Sequence, residues 1–316
     1  MRRVLLADIG GTYARFAMLH GDKLGPVRSL HVRAHATMTD ALKAFLAGND
    51  GGPPINAAIL AVAGPIESGR CAFTNSSWVA DASALQDEFA IPNVRIVNDQ
   101  EAAAWGLSHF TSSDTRLIGP DTPMIGAPMA LLSPGTGLGM ACLVPGTPAA
   151  VVIASEGGHA TLAATDAAEA KIIDFLHGRH GHVSAERVLS GRGLMSLHEA
   201  LSTEAGDGAP AASPEQIVRE AIDGSSETAR RALDMFCAFL GSVAGSAALT
   251  FGARGGVLIA GGIAPRIIEP LRRSSFRERF ESKGRLRGYL AHIPTKVVTR
   301  RDPAFLGLMA LANERR

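Results

Sequence analysis

The sequence predicts an α/β fold in which two halves repeat one plan, because a strand, a glycine turn and a second strand follow one another twice. In the first half, the apolar residues 4–7 and the largely apolar run 15–19, which begins with Arg15, flank the turn Asp8-Ile9-Gly10-Gly11-Thr12. In the second half, residues 130–132 and 140–144 flank the turn 133–139. A repeat of this kind predicts two similar units that present two glycine turns across one cleft.

Both turns have properties that suit a bound phosphate group. Adjacent glycines leave backbone N–H groups uncovered by any Cβ atom, so a phosphate can approach them closely. Asp8 can contribute to the Mg²⁺ shell of that phosphate, and the Thr12 hydroxyl adds a donor. Many glycine hairpins only reverse the chain. The repetition, rather than either turn alone, therefore supports phosphate binding.

The rest of the chain continues each half with alternating strands and helices. A third strand is expected within 25–34, and Thr39 is expected to cap a helix through Ala47. The remaining predicted strands are apolar runs, namely 57–63, 94–97, 150–154, 257–260 and 296–299. Three meandering strands followed by βαβ units predict a mixed sheet covered by helices in each half.

The domain division follows from the same pattern. Residues 1–109 and 303–316 are predicted to form a small lobe, because the helix that starts at Pro303 should cross back onto the first domain. Residues 110–302 are predicted to form the large lobe. The uncharged run 235–253 is near the lower length limit of a membrane span, but its small residues favour a helix buried in a globular core.

Composition excludes several classes of partner. A formal charge of +1 provides no general attraction for nucleic acid or an anionic membrane. Cys71, Cys142 and Cys237 have no paired spacing, so neither a disulfide framework nor a zinc site is indicated. The apolar stretch after Met1 is too short for a signal peptide. A cytoplasmic protein is therefore expected.

The segment Val97-Asn98-Asp99 lies where a predicted parallel strand ends and a helix begins. Ligands of open α/β sheets bind at the carboxyl ends of strands. An aspartate at this place can accept the proton of a hydroxyl that attacks a γ-phosphate. Asn and Asp are also common helix caps, so the segment by itself leaves both interpretations open.

Three further segments also allow two interpretations each. Glu156-Gly157-Gly158-His159 is either a surface turn or a ligand loop with an acceptor and a switchable imidazole. Glu186 by default is a first-turn carboxylate that the helix dipole favours. Gly261-Gly262 either covers a nucleotide base or ribose, or only connects a strand to a helix.

Taken together and in order, these segments resemble the bacterial glucokinases of the hexokinase, actin and Hsp70 superfamily over nearly the whole chain. The motifs that carry the resemblance are Ala7–Thr12, Val97–Asp99, Gly135–Gly139, Glu156–His159, Glu186–Gly191 and Ile259–Ile263. The resemblance implies a two-lobed, actin-like ATPase fold with a cleft between the lobes. It also implies ATP and Mg²⁺ as cofactors and D-glucose as the substrate.

The resemblance further implies a role for each matching residue. Asp99 would be the catalytic base, and the sugar hydroxyls would bind Asn98, Asp99, Glu156, His159 and Glu186. The ATP phosphates would bind two sets of residues, namely Asp8, Gly10, Gly11 and Thr12 and then Gly135, Thr136 and Gly137. Asp8 would hold Mg²⁺, directly or through water, and Gly261 and Gly262 would lie near the adenosine. Residues 74–78 look like the family's substrate-side loop, to which no role is assigned.

The predicted reaction is ATP-dependent phosphorylation of the 6-hydroxyl of D-glucose, by a homodimer that binds no nucleic acid and no membrane. A kinase for fructose, mannose or an N-acetylhexosamine is the alternative within the superfamily. A sugar-sensing or actin-like protein without this catalysis is the alternative from another class. Three positions depart from the family pattern: Tyr13 and Ser133 beside the phosphate turns, and Gln100 after the catalytic aspartate.

Overall fold

The computed structural model describes residues 2–48, 52–73, 76–147, 149–206 and 212–314. The chain divides into unit 1 (Met1–Phe110 with Arg301–Arg316) and unit 2 (Thr111–Arg300). Each unit contains a six-stranded mixed sheet together with helices. The predicted α/β class, with meandering strands followed by parallel strands in each half, is confirmed.

The sheet of unit 1 has its parallel strands at one side and its meander at the other. The strands of this unit are Arg3–Ile9 (β1), Tyr13–His20 (β2), Lys23–Leu24 (β3), Arg28–His31 (β4), Ala57–Val62 (β5), Arg70–Ala72 (β6), Val79–Asp81 (β7) and Val94–Asn98 (β8). The order is β3-β2-β1-β5-β8, with β4 also paired to β2, while β6 and β7 form a separate hairpin. Strands β1, β5 and β8 are parallel, so their carboxyl ends lie at one edge.

Three helices of unit 1 follow these strands: Met38–Ala47 (α1), Ala82–Phe89 (α2) and Asp99–Trp105 (α3). The cap of α1 is Thr37 rather than the expected Thr39, because Thr37 and Asp40 form a capping box. The third strand expected within 25–34 is shorter, since only Arg28–His31 pairs there and a 3₁₀ turn follows.

Unit 2 repeats the meander and the parallel pair. Its strands are Thr115–Leu117 (β9), Met129–Pro134 (β10), Leu138–Val144 (β11), Val151–Ser155 (β12), Gly256–Ile259 (β13) and Thr295–Val298 (β14). Their order in the sheet is β12-β11-β10-β13-β14-β9. Strands β10, β11 and β12 are antiparallel neighbours, whereas β10, β13 and β14 are parallel.

The longer insertions of unit 2 are mainly helical. They are Ala167–His180 (α4), Gly191–Ala205 (α5), Pro214–Asp223 (α6), Glu227–Phe251 (α7), Ile268–Arg273 (α8), Phe276–Glu281 (α9) and Arg287–Ala291 (α10). The composition of residues 202–213 predicts a polar loop there, but α5 continues to Ala205 before Gly206 ends it in a left-handed conformation. Residues 207–211 of that loop lie outside the described residues.

Helix α7 is the buried centre of unit 2. Among the described residues it is the one helix long and apolar enough to cross a membrane, and 72% of its most apolar window is buried inside the protein. A Cβ atom on Gly241 would lie 2.1 Å from the carbonyl oxygen of Phe276, and one on Gly245 would lie 2.3 Å from that of Phe280. The small residues of α7 therefore serve close packing against α9, as the sequence predicts for a core helix.

The C-terminal helix Ala304–Asn313 (α11) belongs to unit 1 and packs against β1 and α3. Phe305, Leu308 and Leu311 are buried in one cluster with β1 and β5 residues. Gly307 contacts α3 so closely that a Cβ atom there would lie 1.6 Å from the carbonyl oxygen of Ala102. The two helices can therefore approach at this level only because residue 307 has no side chain.

We predict that Gly307→Ala destabilises unit 1. The added methyl group must separate α11 from α3, and overpacking of this kind costs about 1–3 kcal/mol in the free energy of unfolding. Thermal unfolding followed by circular dichroism measures the loss.

Gly178→Ala in α4 is the matched control, because a Cβ atom there has no heavy atom within 4 Å. Alanine favours a helix interior over glycine by roughly 0.5–1 kcal/mol, so this variant should be as stable as the wild type or more so. Equal stability of Gly307→Ala and wild type would contradict the close helix contact.

Candidate functional site

The first glycine turn joins β1 to β2 and exposes its backbone. The N–H of Gly10 donates to the carbonyl of Tyr13 at 3.0 Å, and the carbonyl of Thr12 accepts from Val32 N at 3.0 Å. Gly11 and Thr12 are exposed. The turn is thus held at its base by strand bonds while its tip presents backbone groups and a hydroxyl to solvent, as a phosphate site requires.

Asp8 precedes this turn and pairs with a cation across the hairpin. The register places Asp8 opposite Arg15, whose Nη1 lies 3.0 Å from Oδ2 of the carboxylate. Nε of Arg15 lies 3.2 Å from Oδ1 of Asp302. Burial raises the pKa of Asp8, and the guanidinium of Arg15 partly offsets the increase. The Asp8 side chain is only 17% exposed, so Arg15 supplies much of the charge compensation that water would otherwise give.

Asn98 and Asp99 occupy the junction of β8 and α3. The side-chain oxygen of Asn98 accepts from Gln100 N at 2.9 Å and from Glu101 N at 3.3 Å, so Asn98 is the N-cap. Asp99 also accepts from Gln100 N, at 2.8 Å through Oδ1. The capping interpretation thus applies to Asn98, whereas the Asp99 carboxylate accepts hydrogen bonds from Gln100.

Asp99 has an unusual acidity for an aspartate. Burial, and then the charge of Asp8, raise its pKa to about 6, although hydrogen bonds from Gln100 oppose the increase. Strands β1 and β8 flank β5 in parallel, and the register aligns Asp8 with Ala61 and Asn98 with Val62. The two carboxylates therefore share the carboxyl edge of one sheet, where the charge of Asp8 disfavours ionisation of Asp99.

Sequence reasoning did not identify three residues around these carboxylates. Arg15 could have been found from the hairpin register, since residues 8 and 15 are equidistant from the turn. Asp302 has no comparable signal, because it reaches Arg15 from the C-terminal segment. Burial and the charge of Asp99 raise the pKa of Cys71, which indicates that this thiol lies near the Asp99 carboxylate. Within the described part of the chain, Oε1 of the buried Gln100 amide has no hydrogen-bond partner.

The second glycine turn, in unit 2, is shorter than the sequence indicated. Ser133 and Pro134 already belong to β10, and Leu138 begins β11, so Gly135-Thr136-Gly137 alone forms the loop. The N–H of Gly135 donates to the carbonyl of Gly137 at 2.8 Å. A Cβ atom on Gly135 would meet no heavy atom within 4 Å. The loop therefore has one open face where a ligand can approach the backbone.

Glu186 lies against this same loop. Its Oε2 accepts from the N–H of Leu138 at 2.8 Å, and a Cβ atom on Gly137 would lie 2.4 Å from that oxygen. The next segment is tied to the loop as well, because Gly191 N donates to the carbonyl of Gly135 at 2.8 Å. The structure thus brings together two motifs that are about fifty residues apart in the sequence.

The remaining motifs of unit 2 approach the ends of the same hairpin. Gly158 packs so that a Cβ atom would lie 2.0 Å from the carbonyl oxygen of Leu138, and one on Gly261, where φ is +79°, would lie 2.3 Å from that of Pro134. Nε2 of His159 lies 3.9 Å from Oε2 of Glu156, and both side chains are mostly exposed. Gly262 faces open space. The motifs of unit 2 therefore surround the hairpin of β10 and β11.

The residues present fit a Mg²⁺–nucleotide complex rather than a metal cage. Among the described residues, no group of three or more His, Cys, Asp or Glu side chains could hold a metal ion by itself. Mg²⁺ bound with ATP commonly uses one or two carboxylates together with the phosphates and water. Asp8, whose Oδ2 pairs with Arg15, provides a carboxylate of this type. Residues 74 and 75 of the expected substrate-side loop lie outside the described residues.

Comparison with known proteins identifies the family of the chain. The family model described as Glucokinase matches residues 5–315. The chain is similar to the glucokinase of Paramagnetospirillum magneticum, with 42% identity over 98% of both chains, and to that of Nitrobacter hamburgensis, with 40% identity over 98% of this chain and 97% of the other. A solved glucokinase from an Antarctic psychrotroph aligns with a TM-score of 0.89 and 34% identity over 98% of both chains. The two-unit fold, the order of the motifs and these matches agree, and the chain belongs to the glucokinase family.

Proposed function

We propose that this chain transfers the γ-phosphoryl group of ATP to the 6-hydroxyl of D-glucose, with glucose 6-phosphate and ADP as products. Membership of the glucokinase family supports this reaction. The observation that carries the chemistry is Asp99, a buried carboxylate at the carboxyl end of a parallel strand, whose pKa of about 6 suits a base that works near neutral pH.

Asp99 acts as the general base. The oxygen of the sugar 6-hydroxyl attacks the γ-phosphorus, the proton of that hydroxyl passes to the Asp99 carboxylate, and the bond from the γ-phosphorus to the bridging oxygen breaks as ADP leaves. Gln100 N holds one carboxylate oxygen in place at 2.8 Å. The base is therefore oriented before the sugar arrives, which reduces the reorganisation that the reaction needs.

Side chains from both units are assigned to the sugar hydroxyls. Asn98 uses its oxygen to cap α3, so its amide N–H groups remain for a hydroxyl. Unit 2 contributes Glu156, His159 and Glu186, and a charged acceptor is worth about 1.5–3 kcal/mol for each hydroxyl it binds. A sugar that lacks a matching hydroxyl would leave such a group unpaired. We therefore infer a preference for glucose over its epimers.

The nucleotide binds the two glycine turns. We assign Gly10, Gly11 and Thr12, and residues 135–137 in unit 2, to the phosphate oxygens; the N–H groups of Gly10 and Gly135 close their own turns, and the exposed Gly11 and Thr12 are the proposed donors in unit 1. Asp8 is the carboxylate for Mg²⁺, which when bound neutralises charge on the β- and γ-phosphates. Gly261 and Gly262 are assigned to the adenosine, and the open face of Gly262 is consistent with a nearby base or ribose.

We also infer a cytoplasmic homodimer whose product would enter glycolysis. Cys71, Cys142 and Cys237 are free thiols buried in the protein, which suits a reducing compartment. The edge strand β12 exposes Val151 and Ile153. An apolar edge strand favours a protein contact over solvent, and this supports self-association.

Purified protein with ATP, Mg²⁺ and a panel of sugars tests the proposed substrate. ADP release coupled to a reporter reaction should be much faster with glucose than with fructose, mannose or N-acetylglucosamine at equal concentrations. A higher kcat/KM for one of the other sugars would replace glucose as the substrate. No sugar-dependent ADP release at all would contradict the proposed reaction.

The variant Asp99→Ala tests whether this residue contributes to catalysis rather than to glucose binding. Asp99→Ala should lower kcat by roughly 10²–10⁴-fold, which is the usual contribution of a general base. Glucose affinity should fall far less, because the other polar groups assigned to the sugar remain. Steady-state kinetics and calorimetric titration with glucose measure the two effects. Unchanged turnover would remove Asp99 from the role of base.

The pH dependence follows from the raised pKa of Asp99. The base works only when it is deprotonated, so kcat/KM for glucose should rise with pH through the value of about 6 and then level off. An ordinary aspartate would place this limb near pH 4. A pH–rate profile for the wild type checks the position of the limb. An activity constant from pH 5 to 8 would show that the pKa of the base is not raised, and would contradict the buried environment assigned to Asp99.

A further inference from the structure

The carboxylate of Glu186 is hydrogen-bonded to the hairpin of β10 and β11 in unit 2. Its Oε2 accepts the N–H of Leu138, the first residue of β11, at 2.8 Å. One backbone N–H group of the hairpin therefore donates its hydrogen bond to a side chain that is far away in the sequence. A charged acceptor strengthens such a bond relative to a neutral one.

The main chain that carries Glu186 is held by hydrogen bonds on both sides. The segment before it is held by Ala185 N, which donates to the carbonyl of Ala160 at 2.9 Å. The Ser190 hydroxyl donates to the carbonyl of Glu186 at 2.9 Å, and Gly191 N donates to the carbonyl of Gly135 at 2.8 Å. Both sides of the Glu186 segment are thus anchored to the loop or to its neighbours.

Gly137 makes the contact sterically possible. A Cβ atom at this position would lie 2.4 Å from Oε2 and 3.1 Å from Cδ of Glu186. The φ angle of Gly137 lies outside the left-handed region, so the backbone conformation itself would accept alanine. Residue 137 therefore needs to be glycine because the Glu186 carboxylate lies where a Cβ atom would be, and not because the turn requires a special backbone conformation.

We infer that Glu186 is a positioning residue for the nucleotide loop as well as a sugar ligand, and so couples the binding of the two substrates. Oε2 sets the position of Leu138 N and of the adjoining loop 135–137, and the same carboxylate is the proposed ligand of a sugar hydroxyl. A sugar that orders the carboxylate also orders the loop. By linkage, a nucleotide that orders the loop improves the binding of the sugar. This inference rests on the proposed glucose and ATP roles.

The first test measures nucleotide affinity without sugar. Calorimetric titration with a non-hydrolysable ATP analogue and Mg²⁺ should show a weaker affinity for Glu186→Ala than for the wild type, by roughly fivefold or more. Glu186→Gln should retain most of the affinity, because its amide oxygen can still accept from Leu138 N. His159→Ala is the matched control, since it removes a proposed sugar ligand whose imidazole lies beside Glu156. Equal nucleotide affinity in Glu186→Ala and His159→Ala would overturn the inference.

The second test replaces each of the two glycines of the loop 135–137 by alanine, in separate variants. Gly137→Ala should displace the flexible carboxylate of Glu186 and weaken the binding of glucose in the absence of nucleotide by about tenfold, which corresponds to 1.4 kcal/mol. Gly135→Ala adds the same methyl group where no heavy atom lies within 4 Å, and should bind glucose as the wild type does. Thermal unfolding confirms that both variants are folded. Identical glucose affinities of the two variants would contradict the coupling through Glu186.

These outcomes are distinct from a failure of the proposed function. If the wild type bound no glucose, the proposed substrate would be wrong, and the second test would fail with it. The first test does not use sugar, so it judges the positioning role of Glu186 by itself. A weaker nucleotide affinity confined to Glu186→Ala supports that role.

Discussion

The electrostatic cost of placing two carboxylates at one buried sheet edge is the constraint on which unit 1 depends. Asp8 and Asp99 stand at the carboxyl ends of β1 and β8, and burial raises the pKa of both carboxyl groups. The charge of Asp8 raises the pKa of Asp99 further, to about 6, and the charge of Asp302 raises that of Asp8. Arg15 pairs with Asp8 and lowers the pKa of Asp8 in part. The ion pair with Arg15 therefore offsets part of the cost of burial at Asp8.

In unit 2, segments that are distant in the sequence lie together around one short loop. Gly137, Gly158 and Gly261 each lie where a Cβ atom would overlap a neighbouring atom. Without side chains at these positions, the backbone of one segment can reach the carbonyl or carboxylate of another. Three motifs that are separated in the sequence therefore meet at the ends of β10 and β11. This close packing also makes the loop sensitive to the position of Glu186.

Some glycines in the helices also permit a close approach, in this case between two helices. Gly241 and Gly245 allow α9 to approach α7, and Gly307 allows α11 to approach α3. Each glycine lowers the intrinsic stability of its helix, by roughly 0.5–1 kcal/mol relative to alanine. The burial of phenylalanines beside these contacts, such as Phe276 and Phe305, offsets that cost. The long apolar helix α7 is explained by this packing, without a membrane.

Local sequence by itself determined the repeated strand–turn–strand plan, the parallel strands and the identity of the family, because hydrophobic period and glycine position act over a few residues. It also placed Asn98 and Asp99 at a strand end, but it could not separate the cap from the base, since both residue types can cap a helix. Only the tertiary structure assigned the cap to Asn98 and raised the pKa of Asp99, because desolvation depends on what other segments cover. The same holds for Asp302 beside Arg15 and for Glu186 beside Leu138, whose contacts join residues far apart in the chain and leave no periodic signal in the sequence.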